Sequence, residues 1–206
     1  MSFLERALML DAVALATALP RWCAGVHAAA PELNELDGRL GDADLGATLD
    51  KCATLVEQAL PTLPSTLEGI FRTCAQACAK ASGSSFGTLL AIACMTSAKR
   101  CAGVDALRRE DLVALIGDVV DALASRGGAS LGDKTVLDGL HAIQAALALA
   151  PEGADARRVA RDAARAALDA FRDKPNRIGR ARMFAEKTIG MDDPGMVALL
   201  RMAESL

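Results

Sequence analysis

The chain's 206 residues are enough for one domain with a substantial core, and a net charge of −3 supplies no basic stripe for nucleic acid. Hydrophobic residues make up 52% and aromatic ones only 3%, and because Ala and Leu dominate, the balance favours helices over strands. No uninterrupted apolar run reaches the roughly 18 residues of a membrane span, and Glu5 and Asp11 stand where a signal peptide would be basic.

The expectation is one all-α domain over residues 1–206, cytoplasmic, with neither membrane nor nucleic acid as partner. Apolar spacing predicts a first helix over about 2–27, kinked or split at Pro20. An acidic loop follows. Helices are then expected over about 47–60, 66–80 and 86–101, the last preceded by the small, polar break Ala81-Ser82-Gly83-Ser84-Ser85. A helix over 111–125 ends in Arg126-Gly127-Gly128-Ala129, a glycine C-cap pattern. Residues 136–149 and 155–171 are helical, the second with its arginines outward, and 180–187 and 196–204 close the chain. No strand is convincing. About eight helices on short connections imply an antiparallel, up-and-down array. Alternate connections then lie at one end, so the loops near Asp42, Gly83, Gly128 and Asp193 are expected to converge on one rim.

The stretch with the clearest chemistry is LNELDGRLGDADLGATLD over residues 33–50. Asp37, Asp42 and Asp44 lie within eight residues, with Gly41 and Gly46 around the last two. Carboxylates on a glycine-punctuated turn suit a hard cation such as Mg²⁺. Glycine lets a phosphate approach closely, and the helix that follows would offer free N–H groups and a favourable dipole to an anion. The alternative is an acidic surface turn with ordinary caps. An EF-hand counted from Asp42 fails, since Ala47 and Ala53 stand where Gly and Glu are needed, and there is no P-loop. The six cysteines form no Cys-x2-Cys pair, and Cys74/Cys78 and Cys94/Cys101 repeat at helical spacing, which reads as buried free thiols.

Four ordered segments resemble the nucleotide-binding L-type subunit or domain of dihydroxyacetone kinases. They are Leu33-Asn34-Glu35-Leu36-Asp37 with Gly41-Asp42-Ala43-Asp44-Leu45-Gly46; Ala81-Ser82-Gly83 with Phe86-Gly87-Thr88; Arg126-Gly127-Gly128-Ala129 with Gly132-Asp133-Lys134-Thr135 and Leu137-Asp138; and Gly179-Arg180-Ala181 with Glu186, Ile189-Gly190 and Asp193-Pro194-Gly195. The resemblance spans nearly the whole chain. It implies an antiparallel eight-helix α-barrel that binds ADP or ATP at one rim, with two Mg²⁺ ions on Asp37, Asp42 and Asp44. It places the phosphates against Leu45, Gly46, Ala47 and Thr48, and the other nucleotide contacts on Ala81, Ser82, Gly127, Val136, Arg180, Asp193, Pro194 and Gly195. One departure is visible. The family commonly has His, Thr or Cys after the third aspartate, and Leu45 here removes that side-chain hydrogen bond while leaving a backbone N–H.

The family also implies partners. A separate K-type subunit holds the ketose, typically dihydroxyacetone, so the chain is expected to be inactive alone. The donor is either exchanging ATP or a bound ADP rephosphorylated by a phosphohistidine M-type subunit of the phosphoenolpyruvate phosphotransferase system, and a free-standing L chain leans toward the second. His27 and His141 do not sit in a phosphohistidine context. A homodimer stays open, as do a tetrose as acceptor and a non-catalytic nucleotide-sensing role, although three clustered aspartates argue against the last.

Overall fold

Ala- and Leu-rich segments fold into eight α-helices among the described residues, 9–81 and 84–206 of this computed structural model. They are α1 (Ala12–Leu40), α2 (Leu45–Ala59), α3 (Leu67–Ala81), α4 (Ser85–Arg100), α5 (Arg109–Gly127), α6 (Val136–Leu149), α7 (Ala156–Phe171) and α8 (Pro194–Glu204). Each helix packs on the next, and α8 packs back on α1, so the ring closes. Neighbours run antiparallel: Ala30 and Asn34 of α1 lie beside Gly46 of α2, His27 lies beside Asp50 and Glu57, and Arg201 of α8 grips Glu32 of α1. The core between them is aliphatic, with Val26, Leu33, Leu49, Ile70, Met196 and Leu200 almost fully buried.

The first helix differs from the expected one. Its expected start lies partly outside the described residues, and it continues to Leu40 through both Pro20 and Pro31. Asp11 caps its start by accepting from Ala14 N at 2.8 Å. Both prolines lie on the exposed side, while Leu19, Cys23, Val26, Ala30 and Leu33 bury the opposite face. A proline costs a helix one hydrogen bond, and a long buried face offsets that loss. Asp37 therefore stands on the last turns of a helix rather than in a loop.

Two further departures are local. Leu10–Asp11 and Ala106–Leu107 form a short antiparallel ladder, with Leu10 opposite Leu107. The segment Ala181–Thr188 is a 3₁₀-helix. The ladder lies at the end of the ring away from the acidic stretch, where Arg109 also donates to Pro151 O at 2.6 Å. The six cysteines are free thiols, five of them buried. Burial pushes the Cys23 thiol up to about 11 and the Cys74 thiol up to about 12, which leaves both protonated and unreactive at neutral pH.

Candidate functional site

The end of α1, the connection 41–44 and the start of α2 build an acid cluster. One carboxylate oxygen from each of Asp37, Asp42 and Asp44 lies within 4.8 Å of the others. Ala43 takes a left-handed φ of 60° between the last two aspartates, a conformation that non-glycine residues rarely adopt. Asp37 Oδ2 accepts from Asp44 N at 2.9 Å and from Leu45 N at 3.4 Å, which draws the turn back onto α1. Asn34 Oδ1 accepts from Ala47 N at 3.0 Å. The first turn of α2 is therefore held by side chains of α1, and the expected free N–H groups of Leu45 and Ala47 are engaged.

The two glycines act through their missing side chains, at ordinary φ. A Cβ on Gly46 would stand 2.0 Å from Ala30 O, so α1 and α2 meet here backbone to backbone. A Cβ on Gly41 would stand 2.5 Å from Asp37 Oδ1, so this glycine makes room for the carboxylate. Burial, and then the charge of Asp37, raise the Asp44 carboxyl above its ordinary value. The cluster is short of positive charge, and its donors are all carboxylate oxygens. That donor set fits a hard divalent cation.

The remaining rim is knitted by one buried cation. Lys134, 1% exposed, donates from Nζ to Arg172 O at 3.0 Å, Lys174 O at 2.7 Å and Thr188 O at 2.9 Å. Asn176, also buried, donates from Nδ2 to Lys134 O at 3.0 Å and to Asp193 Oδ2 at 2.8 Å. Asp193 caps α8 by accepting from Met196 N at 2.9 Å. Thr135 and Asp138 form a capping box at α6, and the same Asp138 carboxylate accepts from Gly132 N at 2.6 Å. The loops 128–135 and 172–193 are thus one unit. Arg180 extends from it to form an ion pair with Asp42. The ring of Phe86 at the start of α4 faces Gly195.

The expected convergence of alternate loops is therefore present: 41–44, the start of α4, 128–135 and 172–193 share one rim. Leu45, Gly46 and Thr48 are buried and Ala47 is exposed. Leu45 joins the core, so the polar side chain it lacks is replaced by packing. Ala81 is buried at the end of α3, Gly127 is exposed at the end of α5 and Val136 begins α6. Asp193 and Pro194 are buried at α8, Gly195 is half-buried and Arg180 is exposed. Ser82 lies outside the described residues. Reading by motif missed the supports. Asn34, Lys134 and Asp138 lie inside the resembling segments but carry no expected role there, and Asn176 lies outside all four segments. His27 bridges Asp50 at 2.7 Å and Glu57 at 3.4 Å between α1 and α2, while His141 is on the surface.

Asp193 gives the rim a pH dependence. Burial pushes its carboxyl up to about 6 from 3.8, only partly offset by the Met196 N–H, Asn176 and Lys134. A carboxyl raised on folding holds its proton more tightly in the native state. Its contribution favours folding below about pH 4 and is lost as pH rises to 6, on the order of 3 kcal/mol for the whole shift. Asp193→Asn keeps a good N-cap and removes the titration. Urea unfolding between pH 4 and 7 is expected to show this slope in the parent and its loss in the variant.

Comparison with known proteins places these features in a class. The DAK2 domain model matches residues 39–206, and the chain belongs to the DAK2-domain family. It is 29% identical over 183 residues to the PEP-dependent dihydroxyacetone kinase, ADP-binding subunit DhaL, of Escherichia coli, covering 84% of this chain and 85% of that one. It is also 29% identical over 182 residues to the D-erythrulose kinase of Mycolicibacterium smegmatis, covering 85% of this chain and 31% of that one. The dihydroxyacetone kinase of C. freundii in complex with AMP-PNP and Mg²⁺ superposes with a TM-score of 0.72 and 25% identity over 92% of this chain and 32% of that one. The chain thus spans about a third of the length of the erythrulose kinase and of the C. freundii kinase.

Proposed function

We propose that the chain is the ADP/ATP- and Mg²⁺-binding subunit of a dihydroxyacetone-type kinase, and that it presents the phosphoryl group to a ketose held on a separate K-type subunit. The observation that carries this is the carboxylate trio of Asp37, Asp42 and Asp44, gathered within 4.8 Å at the start of α2. The likeness to DhaL over most of both chains supports it. In this reading the trio holds two Mg²⁺ ions, which supply charge neutralisation and alignment for in-line phosphoryl transfer. The chain's own part is positional. Asp37 fixes the turn, Asn34 fixes the first turn of α2, and the dipole of that helix favours an anion. Leu45, Gly46, Ala47 and Thr48 line the phosphate side. Ala81, Ser82, Gly127, Val136, Asp193, Pro194 and Gly195 enclose the rest of the nucleotide, and Arg180 brings a cation to its phosphates.

Bound ADP is taken to be recharged by a phosphohistidine M-type subunit, as the PEP-dependent relative's name suggests. A second reading keeps the same site and changes the acceptor to a tetrose, with ATP as donor; the match to an erythrulose kinase favours it. No helix among the described residues is long and apolar enough to cross a membrane.

The test is calorimetric titration of ADP with and without Mg²⁺. Asp42→Asn and Asp44→Asn are each expected to weaken the Mg²⁺-dependent affinity by about a hundredfold, roughly 3 kcal/mol. Unchanged binding in both variants would remove the metal from the site. ADP that copurifies and fails to exchange marks the relay, whereas fast exchange marks ATP use.

A further inference from the structure

Arg180, expected on a phosphate, and Asp42, expected on a cation, here hold each other. The surrounding geometry makes this pairing an exchange device. Three carboxylates crowd together, with one oxygen of each within 4.8 Å of the others. Arg180 is the cation that reaches them. It belongs to a short segment whose ends, Gly179 and Gly190, sit at φ 68° and 82°, in space where a Cβ would meet nothing within 4 Å. Behind Arg180 the segment is fixed, because Lys134 grips Arg172 O, Lys174 O and Thr188 O, and Asn176 N donates to Thr188 Oγ1 at 2.8 Å. Across the gap to the acid cluster the ion pair is exposed, with side chains 56% and 45% accessible.

We propose that Arg180 is the stand-in cation of the acid cluster, and that the site for this reason takes its divalent cation together with a nucleoside diphosphate rather than ahead of it. The inference rests on the metal and nucleotide reading of the previous subsection. A divalent cation that takes Asp42 releases Arg180. Released into water, the guanidinium loses its partner and gains nothing. With a diphosphate beside the cluster, it passes from a carboxylate to phosphate oxygens, for which its forked donors are suited. Each ligand then favours the other, and by linkage the two affinities rise by the same factor. The consequence has a definite sign. Removing Arg180 helps the cation when it is alone and harms it when the nucleotide is present.

The experiment measures Mn²⁺ binding by electron paramagnetic resonance, first to nucleotide-free protein and then with saturating ADP, for the parent chain and Arg180→Ala. Arg180 is exposed, so folding is not at stake. Without nucleotide, the variant is expected to bind Mn²⁺ about threefold tighter than the parent, the scale of one exposed ion pair. ADP is expected to tighten Mn²⁺ binding strongly in the parent and much less in the variant. A purely structural role for Arg180 would weaken Mn²⁺ binding or leave it unchanged, and either result overturns the proposal while leaving the metal site in place. Failure of both proteins to bind Mn²⁺ overturns the proposal and the functional reading together.

Discussion

Lys134→Met is expected to lower the folding stability by about 3 kcal/mol, the upper end for a lost hydrogen bond to a charged group. The side chain is almost wholly enclosed, and its ammonium serves three carbonyls from Arg172, Lys174 and Thr188. Burial drives the Lys134 amine below its ordinary value, so keeping this charge inside already costs free energy. The cost is offset by three hydrogen bonds from a charged donor, at about 1.5–3 kcal/mol apiece, and two of the carbonyls, Arg172 O and Thr188 O, keep a second donor in Gly190 N at 2.9 Å and Met191 N at 3.1 Å. Methionine fills the same volume and donates nothing. The loss falls on the segment 172–190, which carries Arg180 and leads into the Asp193 cap. Urea unfolding and ADP titration are expected to shift together. An unchanged urea midpoint would show that water replaces the ammonium and that Lys134 does not hold the rim together.

Gly46→Ala is expected to cost about 3 kcal/mol or more, at the top of the range for overpacked interiors. The new methyl would overlap Ala30 O, with Asn34 Oδ1 only 2.7 Å from the same point. A side-chain tip could swing away, but a helix carbonyl can retreat only if α1 and α2 separate. Separation undoes two hydrogen bonds at once, Asn34 to Ala47 N and Asp37 to Asp44 N, and so unsettles the aspartates they hold. The variant is expected to lose both thermal stability and Mg²⁺-dependent ADP affinity. Wild-type affinity in a destabilised variant would show that the aspartates hold their places without the tight helix contact.

These two residues show where the sequence could be read and where it could not. The helices were legible because Leu and Ala recur at helical spacing, and the end of α5 because Gly128 supplies the left-handed cap at φ 66°. The acid cluster was legible because its three members are close in the chain. Gly46 was noticed for a different reason. A glycine beside aspartates suggests room for a phosphate, whereas this one makes room for the backbone of α1. Lys134 stands in a GDKT run, where a lysine in a polar loop ordinarily points to solvent, and its partners lie 38 to 54 residues away in the chain. The extension of α1 past Pro20 and Pro31 was missed because local propensity says stop, and only the packing of its far side says continue. Departures of this kind come from contacts distant in the chain, which spacing alone does not carry.

An even number of antiparallel helices has a practical corollary. Helix α1 arrives at the acid rim and α8 departs from it, so the described chain enters and leaves on the side away from Asp42. The Ser205 side chain rests against Gly25, well down α1, and α8 with its 11 residues carries the backbone about 16 Å from the mouth at 1.5 Å per residue. A surface tether or fused module attached at the C-terminal end of α8 would therefore leave the mouth of the cylinder open to whatever must dock there.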